Sequence, residues 1–288
     1  MTATENHIKL IECPRDAMQG WPHMISTEKK IAYINALLKV GFDTVDFGSF
    51  VSAKAIPQMA DTKEVLDKLD LSGTKSKLLA IVANIRGAEE AAGYEQISYI
   101  GFPFSISETF QQRNTNASIE QAYALLEKMQ QICINNRKQL VVYISMGFGN
   151  PYGDVYNEET VFNWVNRISQ LGVEIISLAD TVGMADALQV EQITSHIIRS
   201  LPQIEIGVHL HSTEQNREDK INAALHAGCC RIDGALKGIG GCPMAGNALV
   251  GNMDSEWLIH HLIQKGYHLT IDQTLLQEAS YLASEIFI

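Results

Sequence analysis

Eight times along the chain a short apolar run is followed by a longer stretch with helical apolar spacing. The runs cover 7–14, 44–50, 76–82, 96–104, 139–148, 174–181, 204–213 and 231–241. The helical patterns cover 26–41, 61–70, 86–93, 118–136, 158–172, 187–201, 217–229 and 255–266, and one more follows over 272–287. Near-continuous apolar runs of this length suit strands buried on both faces, and the interval to the next run is what a right-handed β-α-β crossover needs. The first helix illustrates the reading: Ser26 or Thr27 stands at its start as a cap, Ile31, Ile34 and Leu38 share one face, and Gly41 ends it. Eight strand–helix units predict an α/β chain folded as a closed (β/α)8 TIM barrel, with a short extra C-terminal helix, in one domain over residues 1–288. Single barrels of this kind run to about 250 residues. An open doubly wound sheet would have fewer units and, if it bound a nucleotide, a glycine fingerprint after an early strand. Here "KGIGG" (237–241) comes late and enters a loop.

Composition narrows the function classes. Apolar residues make up 46% of the chain and charged residues 19%, enough to build a large core and too apolar for a disordered chain. The net charge of -11, with no run of Lys or Arg, argues against a nucleic-acid surface. Five cysteines at irregular spacing, with no C-x-x-C, fit free thiols in a reducing compartment. No apolar run approaches the roughly 18 residues of a membrane span, and the N-terminus lacks the pattern of a secretory signal. The expectation is a soluble cytoplasmic homo-oligomer that binds a small molecule and neither nucleic acid nor membrane.

In such a barrel the reactive groups lie at the C-terminal strand ends and in the loops beyond them. The polar residues that interrupt the apolar pattern fall there. Arg15 and Asp16 follow the first strand, Asp46 and Ser49 lie late in the second, Asp180 ends the sixth, and Cys242 follows the eighth. His209 and His211 end the seventh in "VHLHST" (208–213). Strand side chains alternate, so if Val208 and Leu210 face the helices, both imidazoles face the barrel axis together. Two imidazoles at i and i+2, joined by a carboxylate and an amide oxygen, suit a divalent metal with open positions; the alternative is a pair of hydrogen-bonded core histidines.

The segments "ECPRDAMQG", "DFGSFVSAKAIPQMADTKEV", "SLADTVG", "VHLHST" and "GIGGCPMAGNALVGN" resemble successive parts of hydroxymethylglutaryl-CoA lyase, a member of the DRE-TIM metallolyase group. The resemblance runs from about residue 8 to 287. Its specific part is "SFVSAKAIPQMAD" with "GGCP", since H-x-H and "RD" mark only the wider group. It implies that Asp16, His209, His211 and Asn252 ligate Mg2+ or Mn2+. It further implies that Arg15 holds a thioester oxygen as it becomes an enolate, and that Cys242 manages the proton given to the departing carbanion. The implied reaction converts 3-hydroxy-3-methylglutaryl-CoA to acetoacetate and acetyl-CoA. A base must also reach the tertiary hydroxyl. His209 is held back from that task while its lone pair binds metal, so Asp46 is its partner there.

Ser49, Ser177 and Asp180 join Arg15 as candidate substrate contacts. Against that, either serine could simply bond backbone, and Asp180 could orient a histidine or Arg15. Lys237, Lys54 and Arg113 are candidates for CoA phosphates or are solvated surface charges. Glu256, four residues past Asn252, reads as a first-turn helix acid. The chain departs from the family pattern in five places. Asp46 stands for a Glu, Ala17 for a Gly, and "ADT" (179–181) for "GDT". "GFGNPYGD" (147–154) replaces a segment that usually carries a second Cys. The interval from Cys242 is one residue longer, which leaves Asn247 as the alternative to Asn252. Two other readings stand beside the lyase: a Claisen-type synthase joining acetyl-CoA to a 2-oxo acid, and a barrel that only binds a CoA ester.

Overall fold

The computed structural model describes residues 7–241 and 250–288. Strands β1 (Lys9–Glu12), β2 (Thr44–Ser49), β3 (Lys77–Ile81), β4 (Ile97–Ser105), β5 (Gln139–Ser145), β6 (Ile175–Asp180), β7 (Glu205–Leu210) and β8 (Arg231–Gly234) form a closed parallel barrel in chain order. The last strand returns to the first with Ile11 beside Asp233. The helices are α1 (Pro14–Gln19), α2 (Thr27–Val40), α3 (Thr62–Asp67), α4 (Ile85–Ala92), α5 (Glu108–Thr115), α6 (Ile119–Asn135), α7 (Glu158–Ser169), α8 (Ala187–Ser200), α9 (Arg217–His226), α10 (Ser255–Gln264) and α11 (Gln273–Ile286). This is the (β/α)8 architecture expected, with α11 as the extra C-terminal helix. Phe287, just past α11, packs edge-on against Tyr33 of α2 and against Trp21.

Two helices were not anticipated. α1 starts inside the stretch read as the end of the first strand. Pro14 at its first position has a fixed φ and lacks an N–H that would be unpaired there anyway, so it opens a helix rather than extending a strand. α5 is capped by Ser107, whose Oγ accepts the Phe110 N–H at 3.2 Å. Strand β7 also ends earlier than expected. His211 lies beyond it, in an isolated bridge to Asn252.

The main apolar core lies between the sheet and the helices, as alternation on strands buried on both faces requires. Inside the barrel the wall is uneven. Leu79, Ile81, Val141, Tyr143 and Ile175 form a small apolar cluster on β3, β5 and β6. Across from it, β7 and β8 turn His209, Arg231 and Asp233 to the same interior, on a register that sets Gly207 beside Arg231 and His209 beside Asp233. No helix among the described residues is long and apolar enough to cross a membrane. Cys13, Cys133 and Cys229 are buried free thiols and Cys230 is an exposed one.

Glu12, at the end of β1, is fully buried on the helical side. Its oxygens accept the Leu236 N–H at 2.8 Å and the Ser255 hydroxyl. Ser255 N–H in turn bonds Ala235 O, so one carboxyl ties the end of β1 to the chain leaving β8 and to the chain entering α10. Burial raises the Glu12 pKa to about 8, although both hydrogen bonds pull it down. Between about 4.5 and 8 the folded chain therefore holds a proton that the unfolded chain releases, and stability falls as pH rises through this window. Glu12→Gln keeps an acceptor for Leu236 and a group to bond Ser255 without a buried charge. Its melting temperature should match the wild type near pH 5 and exceed it at pH 9. The difference corresponds to a few kcal/mol on the order-of-magnitude scale of such shifts. Equal pH dependence of the two proteins would refute the assignment.

Candidate active site

A cavity of about 750 Å³ opens at the C-terminal strand ends. Arg15, Asp16, Asp46, His209 and His211 all line it, together with Arg113. These residues come from α1, β2, β7, α5 and the turn after β7, and only closure of the barrel brings them together.

Arg15 is the electrostatic centre. Its Nε and Nη2 grip the Asp46 carboxylate, with Nε 3.0 Å from Oδ2 and 3.2 Å from Oδ1, and its Nη1 bonds Asp16 Oδ1 at 3.0 Å. A guanidinium has five N–H donors, so one on Nη1 and one on Nη2 remain for a ligand in the cavity. Burial raises the Asp46 pKa and Arg15 draws it back, to about 6. Burial likewise pushes Asp16 up, but Arg15, then His209 and His211, and the Asn252 amide reverse this and bring it to about 2. Asp16 is thus a fixed negative charge at neutral pH, whereas Asp46 titrates near it.

His209 and His211 do face one centre, with Nε2 atoms 3.3 Å apart. A carboxylate oxygen of Asp16 and a ring nitrogen of each histidine all lie within 4.8 Å of one another. Burial, then the neighbouring His209, lower the His211 pKa to about 4, so its ring is neutral at pH 7. His209 Nδ1 lies 3.1 Å from Asp233 Oδ2 on β8. Burial opposes a charge on His209, but the bond to Asp233 and the Asp16 charge outweigh it and raise its pKa. In the neutral ring that bond fixes the tautomer with Nδ1–H and leaves Nε2 as the lone pair beside Asp16 and His211. One hard oxygen and two imidazole nitrogens converging on a point fit a divalent cation. A second cluster, Cys13, His209 and Asp233, fits one poorly. Burial holds the Cys13 thiol well above its usual pKa, and His209 Nδ1 is already bonded to Asp233 Oδ2.

Asn252 touches the cluster from the side. Its Nδ2 donates to Asp16 Oδ2 and to Ile239 O, both at 2.8 Å. Gly240 crosses directly over this amide, and a Cβ there would lie 2.4 Å from Nδ2 and 3.1 Å from Ala17 Cα. With φ at 110°, only glycine fits this crossing without strain. Cys242 and Asn247 lie outside the described residues.

The three further candidate contacts are not on the cavity wall. Ser49 Oγ accepts the Val51 N–H at 3.2 Å, the local backbone bond considered for it. Ser177 lies within the barrel, its Oγ buried and without a partner among the described residues. Asp180 points outward to Lys220, with Oδ2 2.6 Å from Nζ, while Oδ1 accepts the Ala185 N–H. Lys220, 1% exposed, also donates to Gly183 O at 3.1 Å and to His211 O at 2.9 Å. It thereby pins the backbone of His211 to the end of β6. Of the candidate phosphate partners, Arg113 lines the cavity and stacks on Tyr152 at 4.6 Å. Lys54 is exposed and does not line it, and Lys237 pairs with Glu256 at 3.2 Å. Glu256 lies in the first turn of α10, as expected.

Asp233 and Lys220 escaped sequence reasoning. Asp233 had a signal: it shares the inward parity of Arg231 in a strand already recognised. Lys220 had none, because a lysine in the first helical turns after a strand resembles any solvated lysine.

A family profile described as HMGL-like matches residues 8–282. The 3-hydroxy-3-methylglutaryl-CoA lyase, cytoplasmic, of Danio rerio is 31% identical over 276 residues, which cover 95% of this chain and 81% of that protein. The hydroxymethylglutaryl-CoA lyase, mitochondrial, of Macaca fascicularis is 30% identical, covering 99% of this chain and 88% of that one. Among solved structures, an HMG-CoA lyase from Acinetobacter baumannii in complex with coenzyme A and 3-methylmalate superposes with a TM-score of 0.91. It is 32% identical and covers 100% of this chain and 93% of that one.

Proposed function

The chain belongs to the HMGL-like family, and on that premise we propose that it cleaves 3-hydroxy-3-methylglutaryl-CoA to acetoacetate and acetyl-CoA with the help of a divalent cation. The observation that carries this reading is the convergence of Asp16, His209 and His211 on one point of a cavity that Arg15 also lines. Asp16 Oδ, His209 Nε2 and the His211 ring would hold Mg2+ or Mn2+, joined by Asn252 once its amide turns Oδ1 toward them. When bound, such a cation supplies Lewis-acid chemistry, lowering the pKa of an oxygen it contacts.

The chain's own groups divide the remaining work. Asp46 accepts the proton of the tertiary hydroxyl. A carboxylate offers about four lone-pair sites, and Arg15 takes one on Oδ1 and two on Oδ2, so Oδ1 keeps one for the substrate. As the carbon–carbon bond breaks, charge moves onto the thioester oxygen, where the two unused Arg15 N–H groups stabilise it. Cys242 returns a proton to the acetyl-CoA carbanion. Arg113, on the cavity wall, would meet a CoA phosphate.

A coupled assay for acetoacetate, run with added Mg2+ or Mn2+, tests the reading. Activity should appear with the cation, vanish in chelator, and drop at least about 100-fold in Cys242→Ser. Because Asp46 must be ionised to act, kcat/KM should fall as pH drops through about 6. Asp46→Asn should be nearly inactive, and Asp46→Glu should restore part of the rate. Release of free CoA from acetyl-CoA plus a 2-oxo acid, with hydroxymethylglutaryl-CoA untouched, would replace the lyase by a synthase.

A further inference from the structure

The barrel interior beneath the cavity holds polar atoms with nothing to bond. Arg231 Nε and Nη2, Asp233 Oδ1, Tyr143 Oη and Ser177 Oγ are all buried and without a hydrogen-bond partner among the described residues. They are neighbours by register. Tyr143 pairs with Ser177, Ser177 with Gly207, and Gly207 with Arg231, so four strands in succession contribute to one level of the barrel. Ala179, His209 and Asp233 form the level above. Adjacent strands lie about 4.8 Å apart, which keeps each level within reach of one or two bridging molecules. The Arg231 side chain lies across Gly207, where a Cβ would come within 3.0 Å of its Cδ. At its far end Nη1 bonds Glu205 Oε1 at 3.2 Å. Burial opposes the Arg231 charge, and Asp233, then Tyr143 and Glu205, outweigh it.

A buried polar atom left unpaired forfeits its hydration with no return, and native interiors carry few such atoms. A buried water typically makes about three hydrogen bonds, so about two waters would satisfy all five atoms. We propose that the barrel interior holds an ordered water site bridging Arg231 and Tyr143 to the free oxygen of Asp233, and that through it Arg231 positions the His209 ring. The chemistry is consistent at each link. Arg231 Nε–H and Nη2–H donate to water, and water donates to Asp233 Oδ1. Asp233 Oδ2 accepts from His209 Nδ1–H. The hydroxyls of Tyr143 and Ser177 complete the shell. Arg231 is then a positioning residue for a metal ligand, three hydrogen bonds removed from that ligand and off the cavity wall.

The positioning part rests on the metal reading above, and the test separates the two. Mn2+ is titrated into the full-length protein, and the His209 tautomer is read from its ring nitrogen chemical shifts. Arg231→Met should weaken Mn2+ binding about tenfold, the size of effect typical of groups that orient a ligand. It should also convert His209 from a single Nδ1–H tautomer to a mixture. Glu205→Gln should do neither. A folded Arg231→Met protein with wild-type Mn2+ affinity and tautomer overturns the proposal. If that variant does not fold, the double variant Tyr143→Phe with Ser177→Ala takes its place in the same two measurements, and wild-type values in both again overturn the proposal. A high-resolution crystal structure showing Arg231 in direct contact with Asp233, and no oxygen between them, also overturns it. Wild-type protein that binds no Mn2+ instead sinks the metal reading, while the tautomer and the electron density still decide the water site.

Discussion

Arg15→Met is expected to lower kcat for hydroxymethylglutaryl-CoA cleavage by about 10²–10³-fold, the cost of losing one preorganised donor to a developing oxyanion. The argument lies in how firmly the guanidinium is held. Three of its five N–H groups are spent on Asp46 and Asp16, so the two that remain are fixed before substrate arrives and need no reorganisation as charge appears. Such a group acts on the transition state more than on the ground state, so KM should change little. A second readout distinguishes this from a general loss of structure. Arg15 is what holds the Asp46 pKa down against burial. With Arg15 gone, the acid limb of the pH–rate profile should move upward from about 6. A variant that loses rate while its acid limb stays in place would show that Arg15 is not coupled to the base. Arg15→Lys should rescue poorly, because an ammonium cannot grip both Asp46 oxygens and bond Asp16 in the same fork geometry.

The second large effect concerns the metal centre. His211→Ala should weaken Mn2+ binding at least about 100-fold and reduce turnover in proportion at limiting metal. His211 is well suited to the task because burial and His209 keep it uncharged: with a pKa of about 4 it presents a lone pair at every pH at which the enzyme would work. Below about pH 4 the ring protonates and metal binding should fail even in the intact protein. Asp16→Asn removes the only carboxylate of the set and frees Arg15 Nη1, so it should lose both metal affinity and rate. Titration calorimetry on the two variants settles the matter. Mn2+ binding of wild-type strength in both would mean the ion sits elsewhere.

The strands and helices were legible because parallel strands covered on both faces must be apolar throughout, and helices packed outside them must show one apolar stripe. The site was legible where a polar residue broke that rule near a strand's end, as His209, His211, Asp46 and Asp16 did. α1 was hidden because "ECPRD" continues an apolar run into a proline, and only the position of that proline inside a first turn marks a helix. Asp180 looked like a cavity residue because it ends a strand. Its parity, opposite to Ala179 on the cavity wall, sends it instead to Lys220 on α9. Such pairings join groups far apart in the chain, and no local pattern announces them. Glu12 is the extreme case: it reaches Ser255, 243 positions away, to share a proton-bearing hydrogen bond.

The uneven barrel wall has a consequence for folding fidelity. A β-strand slipped by one residue exchanges its two faces, and in a wholly aliphatic barrel that error would be cheap because both faces are greasy. Here a slip of β8 would thrust Arg231 and Asp233 into the hydrocarbon sleeve under α10 and turn Ile232 toward the imidazoles. Two stranded charges are among the heaviest penalties a misfolded intermediate can carry. The same residues that brace the chemistry thus serve as an address label, telling the final strand where to dock when the ring closes.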